Sequence, residues 1–429
     1  MSSFLKIALP ALALTSSAFA QSSNSCSASA TKTIESAGDA TALSACSTYS
    51  GSIAVSTSAT EDIALNGIKK ITGDLVADGN ANIRRLSADS LEELDGSMTL
   101  NGLTRLVGVD FPKLKKVETI KWSALPNLQT IGFTAEVTEA DTVQIENTAL
   151  RSLKGINIEK VDTLFIANNG QITEVNMQLG NVSDALTFAN NNEALSITLP
   201  NLIWATNLTF RFVGSLEMPS LESTNGSLGL YNNGFSSFSA PNLTTIGEAL
   251  AIVANDQVSN ISFPMLTKIN DNLQIANNTN LTDIDGFPLL KSIGGAFDIS
   301  GNMSNVETPA LESVKGTFNL QSTSNVTETC AFYEPLKKKD WIEGKFFCKG
   351  KLVDPGQQGS KPTEQGGSQT GAATSLSAVN GALGLAAMAA VFLLLITHDL
   401  ASFDSVWHLP QALKFELNMM RTGAVEAKG

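Results

Sequence analysis

The chain has 429 residues, of which 43% are hydrophobic and 16% charged. That balance excludes wholesale disorder and supplies apolar surface for two average domains or one long array. The formal charge of −13 argues against a nucleic-acid partner, because such binding rests on Lys and Arg neutralising phosphates.

Residues 1–20, MSSFLKIALPALALTSSAFA, carry one Lys, an apolar run from Ile7 to Leu14 and the small-x-small site Ala18-Phe19-Ala20. This is the pattern of a signal peptide, and the apolar run is too short to span a bilayer. The mature chain is expected to start at Gln21, with residues 21–50 forming an N-terminal cap.

From residue 51 the sequence repeats. An apolar residue opens an apolar-x-apolar triplet at Ile53, Leu75, Met98, Ile120, Val143, Leu164, Leu186, Leu208, Leu228, Leu250, Leu273, Phe297 and Phe318, at spacings of 20 to 24 residues. Alternation of this kind marks a half-buried strand, and Gly, Asn, Asp, Ser and Pro interrupt any helical run within each unit. A fixed period near 22 residues predicts stacked coils that bury their apolar faces only against one another. The expectation for residues 51–327 is a mainly β, right-handed parallel β-solenoid, L-domain-like or leucine-rich-repeat-like, of about a dozen 20–24-residue rungs. At the spacing of neighbouring strands it would be about 60 Å long.

Two further beats accompany the anchors. Asn stands four residues past the anchor at Asn147, Asn168, Asn190, Asn232 and Asn277. Either these amides stack as a hydrogen-bonded column, or they mark an Asn-rich turn. Pro-x-Leu recurs at Pro112, Pro126, Pro200, Pro219, Pro241, Pro264, Pro288 and Pro309. Proline lacks a ladder donor and belongs at a corner or strand start, with the Leu pointing inward.

The four cysteines form two close pairs, one before the repeats and one in the expected C-terminal cap, 328–353. Three pairings are possible in principle. A solenoid holds its ends far apart, which selects Cys26–Cys46 and Cys330–Cys348, one at each end. The run Lys337-Lys338-Lys339 is expected to be a solvated loop.

Residues 354–380 read as a polar, flexible linker. The apolar tail 381–397 follows, and the small residues Gly371-Ala372-Ala373 ahead of it make a lipid-anchor attachment signal. Gly371 is the expected attachment residue and Ser368 the runner-up. The extension 398–429 departs from that pattern, since such a signal should end the chain. Two readings stand: a lipid (GPI) anchor with an error in the coding sequence, or a single transmembrane helix with a cytoplasmic tail. The short apolar run without a following basic cluster favours the lipid.

The phrases LQIANNTNLTDIDGFPLLKSIGG (Leu273 to Gly295) and LAIVANDQVSNISFPMLTKIND (Leu250 to Asp271) resemble the receptor L-domain type of repeat. With the signal peptide and the anchor-like tail, residues 21–395 are similar to the fungal GPI-anchored cell-wall organisation proteins. The resemblance implies a glycosylated protein at the outer face of the plasma membrane and in the cell wall, and carries over no catalytic residue.

The residues themselves offer little chemistry. Both histidines, His398 and His408, lie beyond the apolar tail, which removes His-based nucleophile systems and His-ligated metal sites from the exterior domain. No catalytic, cofactor-binding or metal-ligating residue is expected. The outward rung positions are Thr99, Lys121, Gln144, Phe165, Thr187, Thr209, Gly229, Ala251, Gln274, Asp298 and Asn319, with Asp298 the only acid among them. Asn-x-Ser/Thr acceptors occur at Asn181, Asn207, Asn225, Asn242, Asn260, Asn277, Asn280, Asn302 and Asn325. Of the neighbours Asn277 and Asn280, Asn280 is the expected occupied member. All nine lie in the second half of the solenoid, which leaves residues 53–180 bare for a partner. The expected function is non-enzymatic support of wall organisation and integrity, with wall polysaccharide or wall and membrane proteins as partners. The alternatives are a β-helix polysaccharide-active enzyme, marked by two or three carboxylates on adjacent rungs about 5–9 Å apart, and a receptor-like ligand-binding module.

Overall fold

The computed structural model describes residues 26–356. The signal peptide, Ser368, Gly371, most of the linker, the apolar tail and the 398–429 extension lie outside the described residues. Among those described, no helix is long and apolar enough to cross a membrane.

The chain winds into a parallel β-solenoid of about 13 turns. Every anchor pairs in register with the next: Ile53 with Leu75, Leu75 with Met98, and so on through Phe297 with Phe318. Because side chains alternate along a strand, this register puts each anchor and the residue two further on into the interior. Leu75, Ala77, Met98, Leu100, Ile120 and Trp122 are fully buried. One apolar core runs the length of the coil. Equivalent aromatics stack between turns, with ring centroids 5.1 Å apart for Phe263 and Phe287 and 4.4 Å for Phe297 and Phe318.

The anchor strands and the short strands leading into them build one 22-stranded sheet. A second set of strands closes the other side in four smaller sheets, including Glu174–Asn176 with Ser196–Thr198 and Ser215–Glu217. Between the two sides the chain turns a corner four residues past each anchor. There the backbone is left-handed at Asn147, Asn168, Asn190, Asn232 and Asn277, with φ of 53–58°. Asn tolerates this region better than other non-glycine residues, and Gly79 and Gly102 fill the same corner at φ 65° and 63°.

The corner asparagines are therefore turn residues. The hydrogen-bonded column lies one position further on, at Asn169, Asn191, Asn233, Asn255 and Asn278, all buried. Its amides face inward because the left-handed residue before them reverses the chain. The Pro-x-Leu beat marks more than one corner. Pro126 follows the anchor strand Lys116–Leu125 directly and sits at the first corner, whereas Pro200, Pro219 and Pro241 follow the second strand. Leu114, Leu128, Leu202, Leu221 and Leu243 are fully buried in either case.

Both ends continue the sheet. Lys32–Ile34 pairs with Ile53–Val55, and Phe346–Lys349 pairs with Phe318–Ser322. Helix α1 (Ala37–Thr41) lies in the first turn, with Ser36 and Asp39 forming a capping box. Helix α2 (Thr327–Lys338) closes the last. Its Tyr333 is fully buried, packs at a tilt against Phe318 with ring centroids 4.6 Å apart, and shares a 2.9 Å hydroxyl–hydroxyl bond with buried Thr308; burial pushes the Tyr333 phenol well above its usual range. Disulfides join Cys26 to Cys46 and Cys330 to Cys348, with Cα separations of 5.4 and 5.6 Å. The lysine run is not a free loop. Lys337 and Lys338 form the last turn of α2, and Lys337 Nζ donates to the carbonyls of Ile342 and Gly344 at 2.9 and 3.2 Å. Cations at a helix C-terminus are favoured by the dipole and by the unpaired carbonyls.

Candidate functional site

The outward column of the large sheet is continuous. Thr99, Lys121, Gln144, Phe165, Thr187 and Thr209 pair residue to residue on successive rungs. The column runs on through Gly229, Ala251, Gln274 and Asp298 to Asn319. The sheet is broadest between residues 93 and 211. The strands Glu93–Asn101, Lys116–Leu125, Thr142–Thr148, Lys160–Ala167, Asn181–Ala189 and Trp204–Arg211 have 7 to 10 residues. Anchor strands from Leu228 onward have 4 or 5. The long strands arise where the lead-in segment and the anchor strand fuse through a bulge, as at Asp95-Gly96 and Ser183-Asp184.

Two positions expected to be outward and open are covered. Gly229 is buried and Ala251 is 2% exposed. Tyr231 folds back along its own strand, so that a Cβ on Gly229 would sit 2.4 Å from the Tyr231 ring. The Arg211 guanidinium lies 4.2 Å from the ring centroid on the neighbouring rung, a cation–π contact. Burial raises the Tyr231 phenol above its usual range, and Arg211 opposes that shift. Beside them Phe212 takes the left-handed corner at φ 56° with 41% of its surface exposed. A bulky residue there is strained, and such strain concentrates at interaction sites. Aromatic content alone gave no sign of this group, because it depends on a glycine facing a tyrosine two residues on.

The acids also differ from expectation. Besides Asp298, whose carboxylate accepts from Asn319 Nδ2 at 2.7 Å, a ridge of exposed carboxylates runs along the bend that precedes the anchor strand. Glu118, Asp141 and Asp162 stack on consecutive rungs, since Asp141 N–H donates to Glu118 O at 2.9 Å and Asp162 N–H to Asp141 O at 2.8 Å. Asp184 stands next, in the bulge paired with this strand. Stacked at one strand spacing, about 4.8 Å, like charges repel. The same bend further along holds Glu248 and Asp271, joined by a backbone bond of 2.9 Å. Partial burial and the Glu248 charge raise the Asp271 carboxyl above its usual range. Among the described residues no group of three or more His, Cys, Asp or Glu is placed to hold a metal ion.

The acceptor asparagines spread around the coil. Asn225, Asn242, Asn260, Asn277, Asn280 and Asn325 are exposed, and Asn181, Asn207 and Asn302 are half-buried. Asn207 accepts the Ser227 N–H at 3.1 Å, and Asn302 donates to Thr279 O at 2.7 Å. None falls in the Thr99–Asn319 column.

A fungal relative, "Protein ecm33" of Aspergillus fumigatus, is 39% identical over 353 residues, covering 82% of this chain and 87% of its own length. The chain belongs to the Ecm33 family of GPI-anchored cell-wall organisation proteins. The family model of that description matches residues 2–44. This Ecm33-family chain is also similar to the "Cell surface GPI-anchored protein" of Arthroderma benhamiae, 40% identical over 324 residues, 75% of this chain and 83% of the relative. The "Cell surface GPI-anchored protein ECM33" of Candida albicans is 35% identical over 344 residues, 80% and 82% of the two chains. No solved structure matches. Membership places the protein at the outer face of the plasma membrane and in the wall, with a role in wall organisation; none of these names denotes an enzyme.

Proposed function

We propose that the chain organises the fungal wall without catalysis, carries a lipid anchor at Gly371, and presents the broad outward face of residues 93–180 to a wall polymer or wall protein. The observation supporting this reading is the unbroken outward column Thr99–Lys121–Gln144–Phe165 on the longest strands, in a stretch without a glycan acceptor. Glycans are bulky and shield the surface they grow from, so the acceptors beyond residue 180 favour docking on the first half. A column of Thr, Lys, Gln and Phe side chains at strand spacing suits an extended polymer lying along the solenoid. The test compares Lys121→Ala, Gln144→Ala and Phe165→Ala with Gln274→Ala and Asn319→Ala at equal surface levels. The first set impairs wall integrity under this reading, and impairment by the second set alone overturns it.

The rival reading, a polysaccharide-active enzyme, takes its support from Glu248 and Asp271, stacked carboxylates of which one holds its proton more tightly than usual. A glycosidase pair flanks the scissile bond from two sides, whereas these two share one bend. Release of reducing ends from glucan or chitin by the purified protein, lost in Asp271→Asn, would establish the enzyme instead. The receptor-like module differs from the main reading only in the partner, and affinity capture with the Phe165→Ala control identifies it.

A further inference from the structure

The second side of the coil falls into four sheets, and one of the breaks between them opens a cleft. Ser215–Glu217 pairs with Ser196–Thr198, and Ser237–Ser239 pairs with Asn260–Ser262. Among the described residues no ladder joins Ser215–Glu217 to Ser237–Ser239, although they belong to consecutive turns. The cause is local. The turn from Leu208 to Leu228 is the shortest, at 20 residues, and its second strand starts seven residues past the anchor rather than nine, as in the next turn. The missing corner residues pull the strand back and open a cleft of about 610 Å³, within the range of small-ligand sites. One wall carries Ser215, Glu217 and Pro219, the other Phe235, Ser237 and Pro241, and no Lys or Arg lines it. Strand edges that face each other without a ladder leave backbone donors and acceptors to be satisfied. The occupant should therefore be uncharged, rich in hydroxyl and amide groups, and apolar on its ring faces.

One acceptor asparagine stands at the lip. Asn242 follows Pro241 on one wall, and its Nδ2 donates to the carbonyl of Pro219 on the other at 2.9 Å. We propose that the cleft is filled by the chain's own glycan, with the first N-acetylglucosamine units attached to Asn242 lying between the two strand edges. Attachment replaces one Nδ2 hydrogen with a bond to C1 of the sugar. The sugar comes from a lipid-linked diphosphate donor, which leaves as the lipid diphosphate together with the displaced proton. The second hydrogen stays on Nδ2 and keeps the bond to Pro219. The glycan then acts as a spacer that holds the split open and satisfies its edges.

The experiment uses the full chain secreted from a glycosylating fungal host, with glycopeptide mass spectrometry and hydrogen exchange at residues 214–219 and 235–240. Three samples are compared with wild type: wild type trimmed by an endoglycosidase to one N-acetylglucosamine, Thr244→Ala, which removes the acceptor signal but leaves Asn242, and Thr244→Ser, which keeps both. Asn242 should be occupied. Exchange should be equal in wild type and Thr244→Ser, intermediate in trimmed wild type, and about tenfold faster in Thr244→Ala. Asn280→Gln, which removes an exposed acceptor elsewhere, should change nothing in these segments. An unoccupied Asn242, or equal exchange in Thr244→Ala and Thr244→Ser, overturns the proposal. So does protection of the wild-type cleft by added chitin or glucan oligosaccharide, which would show a cleft open to an external polymer.

Discussion

Asn233 donates both its backbone N–H and its Nδ2–H to the single Oδ1 of Asn255, at 2.9 and 3.0 Å. Asn255 repeats the pattern on Asn278, and each Nδ2 also reaches a strand carbonyl of the preceding rung, Phe210 for Asn233 and Leu230 for Asn255. The same unit links Thr148, Asn169 and Asn191. Between the two runs stands Val213, which offers only its backbone N–H, to Asn233 Oδ1 at 2.9 Å.

Asn255→Ala strips partners from the Asn233 N–H and the Leu230 carbonyl in a dry interior. Leaving buried groups unsatisfied costs about 1–3 kcal/mol each, so the variant should lose about 2–4 kcal/mol. Urea unfolding of the purified ectodomain measures it. A loss below about 1 kcal/mol would mean that water enters the corner and replaces the amide.

Val213→Asn should do the reverse. It supplies the missing amide and joins the two runs into one column. A net gain of about 1 kcal/mol is expected, the ordinary worth of added hydrogen bonds. An unfolding midpoint lower than wild type would show that the short turn cannot hold an Asn there.

Asp271 sets a pH dependence. Its carboxyl is raised in the folded chain by partial burial and by Glu248. The folded state thus binds this proton more tightly than the unfolded state, and stability falls as pH rises from about 4 through the folded value. At neutral pH the ionised group is a net cost. Asp271→Asn should therefore raise the thermal midpoint near pH 7 and leave it unchanged near pH 3. A gain of equal size at both pH values would place the cause in packing rather than charge.

The C-terminal staple closes a short loop, Cys330 and Cys348 standing at a sequence separation of 18. Replacing both by Ser should cost about 3 kcal/mol from chain entropy. Because each turn touches only its neighbours, hydrogen exchange should quicken first in α2 and Phe346–Lys349, and last near Ile120. Uniform quickening along the coil would argue for a single cooperative unit.

The period carried most of the fold, since Leu164, Leu186 and Leu208 must share one interior line if 22 residues make a turn. The Asn signal was legible and its meaning was not. Asn168 and Asn169 are adjacent in sequence, and only the left-handed backbone of the first decides that the second turns inward. Tyr231 over Gly229 and the split beside Pro219 were out of reach for a different reason. Both depend on contacts between neighbouring rungs that a one-dimensional repeat does not encode. The carboxylate ridge is present in the spacing of Glu118, Asp141, Asp162 and Asp184, but it lies on the bend, outside the apolar alternation that marks the strands.

A coil whose turns are joined by short in-register ladders has a direction in which it yields. Pulled from its ends, it comes apart by peeling one rung at a time, and each rung of about 22 residues frees about 75 Å of extended chain. The gap in the amide column at Val213 leaves a weaker joint between two blocks, where peeling should be easiest. In a protein of the outer membrane face and the wall, such a coil would lengthen in steps under load.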